Sequence, residues 1–275
     1  MKILSWNIQS GKNCSGRIDL NQTLNHIVSL GEFDVICLQE VARHMQEYCS
    51  ENQPDQVKLI QQALPEHTST WGTGFSWPGE SGRQEFGNLT LVKSELLDMK
   101  VHQLPKPAAP GTHQMQRVAV ETIVQSAVGP LSIVNVHLAF HDQNERKLQV
   151  ERLCLLEEER SQQFSRPKAQ GIGAYQLLAM PASRVMCGDF NCDTSSPEYL
   201  HMCDRGWIDA WVLARGHEEH LPTCGIYDQN QWPQGAHCRD YFWLSNGQRD
   251  VKVDMTVDIK TDLSDHQPII LEIDH

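Results

Sequence analysis

The sequence lacks the patterns that mark membrane-spanning and disulfide-rich proteins. No apolar stretch approaches the ~20 residues of a membrane span, and residues 1–7 become polar before the core of a signal peptide could form. The nine cysteines form no Cys-x-x-Cys pair, and their odd number leaves at least one thiol unpaired in any disulfide scheme. We therefore expect a cytoplasmic protein with reduced cysteines and no stable association with membranes.

An excess of positive charge is also missing. The chain has 275 residues, with 35 acidic side chains against 23 lysines and arginines, and its formal net charge is −12. A field of that sign opposes sequence-independent binding to a nucleic-acid backbone, unless a local basic patch or bound cations reverse it. The balance argues against a protein that coats DNA and favours a metal-dependent enzyme.

Signatures of several enzyme classes are absent from the sequence. It has no phosphate-binding loop, no dinucleotide-binding glycine fingerprint and no serine-hydrolase elbow. The segment 217–220 offers two histidines and two glutamates, but its spacing does not match the zinc-binding helix of a metalloprotease. We interpret it as a solvated polar loop.

Hydrophobic periodicity predicts strands that alternate loosely with helices, a pattern typical of α/β or α+β proteins with mixed sheet. Strands are predicted at 1–7, 34–38, 88–92, 118–124, 131–138, 184–187, 240–244, 251–257 and 268–273. Helices are predicted at 19–31, 55–64 and 144–160. Residues 67–87, 161–181 and 216–238 show no regular period and are predicted loops. The aromatic residues of the first and third loops could face a substrate or pack those loops onto the body.

Six polar clusters stand at the ends of predicted strands. They are Trp6-Asn7, Gln39-Glu40, Asn135 to Leu138, Gly188 to Asn191, Arg239 to Trp243 and Ser264 to His266. Taken singly each could be an ordinary turn or the polar rim of a sheet. Loops at the carboxyl ends of strands commonly build α/β active sites, so six clusters in one chain predict a shared site. A site drawn from both termini requires residues 1–275 to fold as a single domain.

In this order the clusters resemble the endonuclease/exonuclease/phosphatase superfamily, also called deoxyribonuclease-I-like, and the match spans the whole chain. The resemblance implies an α/β (α+β) four-layer sandwich, in which two mixed β-sheets pack face to face and are flanked by helices. It also implies divalent-metal-dependent hydrolysis of a phosphate ester by direct attack of water. The Asn-x-Tyr-x-Pro signature of abasic-site endonucleases is replaced by Asn135-Val136-His137-Leu138, which favours the histidine-bearing branches over DNA repair.

The resemblance implies a role for each matching residue. Asn7, Glu40 and Asp265 would hold magnesium (Mg²⁺), or Mn²⁺, through the hard oxygen ligands that these ions accept. Gln9 stands where several nucleases of the group carry an aspartate, so that loop lacks the expected second ligand, and the resemblance leaves one metal or two open.

The remaining roles concern the water and the phosphate. Asp189 would activate or position the attacking water, and Asn191 would hold that water or a phosphate oxygen. His266 would contact the scissile phosphate while Asp240 accepts its other ring proton. His137 is a second phosphate contact. A weaker likeness extends to two further phosphate-binding positions, Asn88 and Arg117; for the arginine, a surface ion pair is the alternative.

The favoured function is a phosphodiesterase of nuclease type that acts on a phosphate-ester substrate. If that substrate is a nucleic acid, we expect it to be short, single-stranded or a strand end. We also expect a monomer. The first alternative is a phosphomonoesterase, or a sphingomyelinase-like phosphodiesterase, that acts on a small molecule or a lipid. The second is a catalytically inactive binding module, which the complete set of expected site residues disfavours. Sequence does not rank the substrates.

Overall fold

Short apolar runs separated by turns form the strands of this chain, and the strands collect in two sheets. The structure is a computed structural model that describes residues 1–80, 82–165, 171–176 and 180–274. The first sheet contains β1 (Lys2–Asn7), β2 (Val35–Arg43), β3 (Thr68–Gly79), β4 (Gly82–Val92), β11 (Val253–Val257) and β12 (Ile269–Ile273). Its strands lie in the spatial order β11-β12-β1-β2-β4-β3. The second sheet contains β5 (Leu96–Gln103), β6 (Val118–Ser126), β7 (Gly129–His137), β8 (Ser183–Asp189), β9 (Ile208–Asp209) and β10 (Asp240–Leu244). Its strands lie in the spatial order β5-β6-β7-β8-β10-β9.

The helices lie between these strands in the chain. Four of them cover the outer faces of the sheets, whereas the helix at 210–215 packs against the core between the sheets. The helices are α1 (Leu20–Ser29), α2 (Gln56–Ala63), α3 (Gln143–Ser165), α4 (Pro197–Asp204) and α5 (Ala210–Arg215). Short 3₁₀ turns span Gln9–Gly11, Gly173–Tyr175 and Asn246–Gln248. No helix among the described residues is long and apolar enough to cross a membrane.

Side-chain alternation along each strand builds the layers. In β2, Val35 and Cys37 point between the sheets, where they pack with Ile133 of β7, whereas Ile36 and Leu38 point outward beneath the helices. A strand that is buried on both faces reads as a continuous apolar run. The same alternation in β7 and β8 places α3 and α4 over the second sheet. The predicted four-layer α/β sandwich of two mixed sheets is confirmed.

The prediction of a loop at 67–87 is wrong. These residues form most of the β3–β4 hairpin, which is the outer edge of the first sheet. Phe75 stacks on Trp77 with ring centroids 3.9 Å apart, so these aromatic residues pack on each other along the strand.

The short elements β5, α4 and α5 were not predicted, and α3 continues to Ser165. Of the predicted loop 161–181, residues 166–170 and 177–179 lie outside the described residues. The stretch 216–238 contains no helix or strand, as predicted.

A buried ion pair holds the second sheet at the end remote from the strand-end clusters. Glu121 of β6 accepts hydrogen bonds from Arg184 (2.6 Å), Ser132 (2.8 Å) and His102 (2.8 Å). Burial alone would raise the pKa of Glu121, but these three partners lower it far below its usual range. The carboxylate is therefore charged in the folded protein and fully bonded.

Replacing Glu121 by glutamine should lower the free energy of unfolding at pH 7 by about 2 kcal/mol. The guanidinium of Arg184 loses its more deeply buried counter-ion and keeps only Glu157, at 3.2 Å. The depressed pKa of Glu121 means that this stabilisation is present above the pKa of the unfolded chain and is lost as the pH falls towards the folded value. Urea denaturation should therefore show a smaller difference in the free energy of unfolding between the unmodified protein and Glu121→Gln at pH 3 than at pH 7. The matched control is Glu66→Gln, because Glu66 forms an exposed pair with Lys93; an equal effect of the two variants would contradict the prediction.

Candidate active site

The strand order brings the predicted clusters to one rim of the sandwich. Parallel strands β1 and β2 end there in the first sheet, and parallel strands β7 and β8 end there in the second. Antiparallel β10 begins there, so Asp240 pairs directly with Asp189 of β8. Antiparallel β12 also begins near the end of β1, and the Ser264 hydroxyl just before it donates to the carbonyl of Asn7 at 2.7 Å. Residues from both ends of the chain therefore meet.

Asn7 joins the two halves of this rim. Its Nδ2 donates to Oε1 of Glu40 at 3.3 Å and to Oδ2 of Asp189 at 3.1 Å. Its Oδ1 accepts from the backbone N–H of Gln9 at 3.1 Å. The amide thus lies between carboxylates that come from different sheets.

A β-bulge turns Glu40 into the site. The prediction placed Glu40 just beyond a strand, but β2 continues to Arg43 and shifts register against β4 between Leu38 and Val41. Glu40 has a φ of +57°, which is uncommon for a residue other than glycine. Bulges often re-aim a side chain beside an active site, and here the carboxylate of Glu40 lines the cavity at the rim while Gln39 and Val41 are buried.

His266, Asp240 and Asp189 form a compact buried cluster. Nδ1 of His266 donates to Oδ2 of Asp240 at 2.8 Å, and the same oxygen accepts from the Thr223 hydroxyl at 2.6 Å. Nε2 of His266 lies 3.6 Å from Oδ2 of Asp189. Burial alone would lower the pKa of His266, but the carboxylates of Asp240, Asp189 and Asp265 raise it well above its usual value. His266 is therefore a charged imidazolium with a fixed ring orientation.

The second histidine has the opposite charge state. Nε2 of His137 lies 3.3 Å from Oδ2 of Asp189 and 3.9 Å from Oε1 of Glu40. Burial, with the nearby Arg117 guanidinium, lowers the pKa of His137 well below its usual value. Burial alone would raise the pKa of Asp189, yet His266 and His137 lower it, so Asp189 is a carboxylate. One cationic and one neutral imidazole thus flank one carboxylate.

Asn191 fixes the orientation of Asp189. Its backbone N–H donates to Oδ1 of Asp189 at 2.8 Å, its Nδ2 donates to the carbonyl of Leu138 at 3.0 Å, and its Oδ1 lies 3.4 Å from Nη1 of Arg239. The side chain also lines the cavity.

The oxygen donors predicted for a metal fit a divalent cation. Glu40 and Asp265 line the same cavity. Burial and the charge of Asp265 raise the pKa of Glu40 to about 7, and burial also raises the pKa of Asp265. The carboxylate of Glu40 accepts a single long hydrogen bond among the described residues, whereas Oδ2 of Asp265 accepts from Gln231 at 2.8 Å and from Trp232 at 3.2 Å. Asn7 would present its Oδ1 to a cation after a turn of its amide, because that oxygen accepts from the N–H of Gln9. With that turn, two carboxylates and one amide oxygen are a suitable donor set for Mg²⁺ or Mn²⁺.

The tighter grouping of Asp189, Asp240 and His266, whose donor atoms lie within 4.8 Å of one another, fits a metal less well. Oδ2 of Asp240 already accepts two hydrogen bonds, and the Nδ1 of His266 is one of their donors. We therefore interpret that cluster as the part of the site that handles protons and phosphate.

Arg117 is buried without a counter-ion. Its side chain is 8% exposed, forms no hydrogen bond or ion pair with any residue that the structure describes, and has a buried Nε without a partner. The alternative of a surface ion pair is therefore wrong. Arg117 lines the same cavity as Glu40, His137 and Asp189. The carboxylates of Glu40, Asp189 and Glu145 stabilise its charge only through space, so its guanidinium N–H groups, unbonded among the described residues, make that part of the cavity suitable for an anion.

Three predicted site residues, Asn7, Asp240 and Asn88, do not line this cavity. Asn7 and Asp240 hydrogen-bond to side chains that do, whereas Asn88 does not. Its Nδ2 donates to the carbonyls of Val118 (3.1 Å) and Asn135 (3.4 Å). It borders a small cleft behind Arg117 and His137 instead. A direct contact between Asn88 and phosphate stays a prediction.

Sequence reasoning left open the role of a second group of residues in the site. Trp232, from the loop 216–238, is buried, donates to Oδ2 of Asp265 at 3.2 Å and packs edge-on against His266 at 5.7 Å. The guanidinium of Arg239 lies 4.8 Å from the Trp232 ring centroid. The aromatic residues of that loop were the available signal. Trp232 both packs its loop against the body of the protein and lines the cavity.

Comparisons with known proteins agree with this architecture. A model of the Endonuclease/Exonuclease/phosphatase family matches residues 4–266. An endonuclease/exonuclease/phosphatase from Beutenbergia cavernae is 17% identical, covers 99% of this chain and 71% of its own, and superposes with a TM-score of 0.73. A mannosyl-6-phosphatase of Bacteroides thetaiotaomicron is 14% identical over 100% of both chains, with a TM-score of 0.66. The human Nocturnin catalytic domain with bound sulfate anion is 18% identical, covers 100% of this chain and 93% of its own, and has a TM-score of 0.62. No curated protein matches the sequence.

At these identities the solved structures establish the fold alone, whereas the family model establishes the family because it spans nearly the whole chain. The resemblance that the polar clusters carry is thereby confirmed. This chain belongs to the endonuclease/exonuclease/phosphatase family, a family of phosphoesterases.

Proposed function

We propose that this protein hydrolyses phosphate esters by direct attack of water, with the help of a divalent cation. The observation that carries the proposal is Arg117, a buried guanidinium without a counter-ion beside two histidines and a carboxylate. An anion bound there would supply the missing partner, and a phosphate fits because it accepts several charge-assisted hydrogen bonds at once.

Asn7, Glu40 and Asp265 would hold the cation. A bound divalent cation neutralises charge on a phosphate and lowers the barrier to its hydrolysis. Mg²⁺ needs few protein ligands because it retains several waters, so one amide and two carboxylates suffice. Calorimetric titration with Mg²⁺ alone tests this set without any substrate.

The remaining groups divide the reaction between them. Asp189 holds or deprotonates the attacking water, and the backbone N–H of Asn191 keeps the carboxylate of Asp189 in place. His266, charged and oriented by Asp240, stabilises negative charge on the phosphate. His137 is neutral and hydrogen-bonds a phosphate oxygen or the leaving group. No nucleophilic side chain is required, so the product forms in one displacement.

We further propose that the substrate is a phosphodiester of nuclease type that is short, single-stranded or presented as a strand end. The cavity has a volume of about 600 Å³, and Arg117 is the only lysine or arginine among its lining residues. A track for a long polyanion would need several such cations. A phosphomonoester of a small molecule is the second candidate, favoured by the limited volume of the cavity and by the similar fold of a mannosyl-6-phosphatase.

A panel of substrates separates these candidates. It consists of bis-p-nitrophenyl phosphate, p-nitrophenyl phosphate, a sugar phosphate, sphingomyelin, and labelled single- and double-stranded DNA and RNA, each assayed with Mg²⁺ and with EDTA. We expect Mg²⁺-dependent cleavage of the diesters, with single strands preferred over duplexes. Preference for the monoesters would select the second candidate. Absence of hydrolysis throughout would support a binding module instead.

Replacing Arg117 by methionine should lower kcat/KM by about 100-fold, because a charge-assisted bond to phosphate contributes about 1.5–3 kcal/mol. The same change should raise the free energy of unfolding by about 1 kcal/mol, because it removes an unsatisfied buried charge. Steady-state kinetics and urea denaturation measure the two effects. Arg249→Met, at an exposed turn, is the control and should alter neither. Unchanged activity together with lowered stability in Arg117→Met would show that the guanidinium is structural.

A further inference from the structure

Much of the cavity wall takes no part in the proposed reaction. Beyond the charged groups at the rim of the sheets, the wall continues along the loop after β7 and the segment before β6, where the lining residues are His113, Gln114, Met115, Phe140, His141 and Glu145. This outer wall consists of three rings, one amide, one thioether and one carboxylate, and these six residues include no lysine or arginine. Its chemistry therefore differs from that of the reaction centre.

Phe140 is held rigidly although it is exposed. Its ring packs edge-on against Trp232 (centroids 5.5 Å apart, interplanar angle 82°) and His141 (4.8 Å, 87°). Nη1 of Arg146 donates to the carbonyl of Phe140 at 3.1 Å and to that of Ala139 at 2.8 Å. Even so, 37% of Phe140 is accessible. A fixed aromatic ring at the mouth of a cavity offers a flat surface on which another ring can stack.

Polar groups that can address the edge of such a ring lie beside it. The rings of His113 and His141 are 5.7 Å apart. Nε2 of Gln114 donates to Oε2 of Glu145 at 2.5 Å and to the carbonyl of Pro107 at 2.9 Å, which fixes the amide. Its Oε1 accepts no hydrogen bond from a described residue. One oriented acceptor and two imidazoles fit the donors and acceptors of a heterocycle better than they fit an alkyl chain.

The charges restrict what else the occupant can carry. The cations of the cavity, Arg117 and His266, lie at the reaction centre, and the outer wall adds the buried carboxylate of Glu145. Arg239 lies 5.7 Å from the centroid of the Phe140 ring, but it already donates to His237 and to the carbonyl of Asn191. A second phosphate in that region would therefore meet the negative charge of Glu145 without a free lysine or arginine in the wall. The occupant is therefore an uncharged group that is attached directly to the reacting phosphate.

We infer that the outer wall, with Phe140 as its stacking platform, binds a single unpaired nucleobase whose nucleoside is esterified to the scissile phosphate. This inference rests on the proposed phosphodiesterase function and names the group that lies next to the reacting bond. The base stacks on Phe140, and the imidazoles of His113 and His141 and the amide oxygen of Gln114 contact its edge. The subsite selects strand ends or dinucleotides, since a paired base would not be free to enter.

The test compares two matched substrates. One is a deoxydinucleotide, and the other has the same backbone with the base of the leaving nucleoside removed. In Phe140→Leu, which keeps apolar bulk but removes the flat ring, kcat/KM for the dinucleotide should fall by about tenfold or more, since stacking on an aromatic residue is worth about 1–3 kcal/mol per base. The value for the abasic substrate should change less than about twofold. Phe164→Leu, at an exposed position of α3, is the control and should affect neither substrate.

A binding measurement keeps this inference separate from the proposed function. Calorimetry with a deoxynucleoside monophosphate and with deoxyribose phosphate, both in EDTA, reports on the subsite without catalysis. We expect tighter binding of the nucleotide to the unmodified protein and a loss of that advantage in Phe140→Leu. Equal losses on both substrates, or equal affinity for both ligands, would overturn the nucleobase subsite while leaving hydrolysis intact. Absence of hydrolysis with a base-dependent affinity would instead overturn the proposed function alone.

Discussion

Replacing Asp189 by asparagine is expected to lower kcat for phosphodiester hydrolysis by about 10³-fold, because a positioned general base contributes about 10²–10⁴-fold. Asparagine keeps the shape of the side chain and can still accept from the backbone N–H of Asn191. It loses the negative charge that lies between His137 and His266. Single-turnover kinetics at saturating Mg²⁺ would isolate the chemical step from product release.

His266→Ala provides the partner measurement. His266 and Asp189 act on the same displacement, so the double variant should be little slower than the slower single variant. Asp204→Asn, at the exposed end of α4, is the matched control and should retain full activity. Fully additive losses would show that the two side chains act in separate steps, and activity that survives both substitutions would remove the proposed mechanism.

Replacing Gly188 by alanine is expected to destabilise the protein by about 4 kcal/mol or more, which would leave little folded protein. A Cβ at this position would lie 1.9 Å from the carbonyl oxygen of Val136 in β7, and the φ of +135° disfavours any side chain. The collision occurs between two parallel strands that both end at the site, so the backbone that carries Asp189 would have to move. Urea denaturation followed by far-UV circular dichroism would measure the loss.

Gly129→Ala separates the two causes. Gly129 has a φ of +114° but nothing lies within 4 Å of where its Cβ would be. This variant should therefore show only the backbone cost, of about 1 kcal/mol. Similar losses in both variants would mean that strand spacing around Gly188 adapts to a methyl group.

The central strands and the strand-end clusters could be predicted because their signals are local. Val35 to Leu38 are apolar without interruption, and such a run needs only its own sequence to indicate a strand buried on both faces. Asn7, Glu40 and Asp189 follow such runs, so their common position could be inferred from chain order. The family resemblance added the sheet pairing that periodicity alone does not give.

The β3–β4 hairpin was missed because tertiary contacts override local preference. Gly72 weakens the strand signal of this segment, yet a Cβ there would lie 2.2 Å from Cγ2 of Val120 in the second sheet. The glycine therefore belongs to a strand that another sheet approaches closely. Phe140 was missed as a site residue, and the role of Trp232 stayed open, for a related reason: their contact joins two loops that are distant in sequence.

The buried amides behind the rim determine how the two sheets are aligned. Nε2 of Gln39 in β2 donates to Oδ1 of Asn135 in β7 at 2.8 Å, and Nδ2 of Asn135 donates back to the carbonyls of Leu38 and Leu89. Apolar side chains alone would tolerate a small sliding of one sheet over the other, whereas directional bonds in a dry interior do not. The offset between β2 and β7 sets where Glu40 stands relative to His137. These amides therefore fix the position of one sheet relative to the other. A substitution that removed their hydrogen bonds would shift Glu40 relative to His137 before it unfolded either sheet.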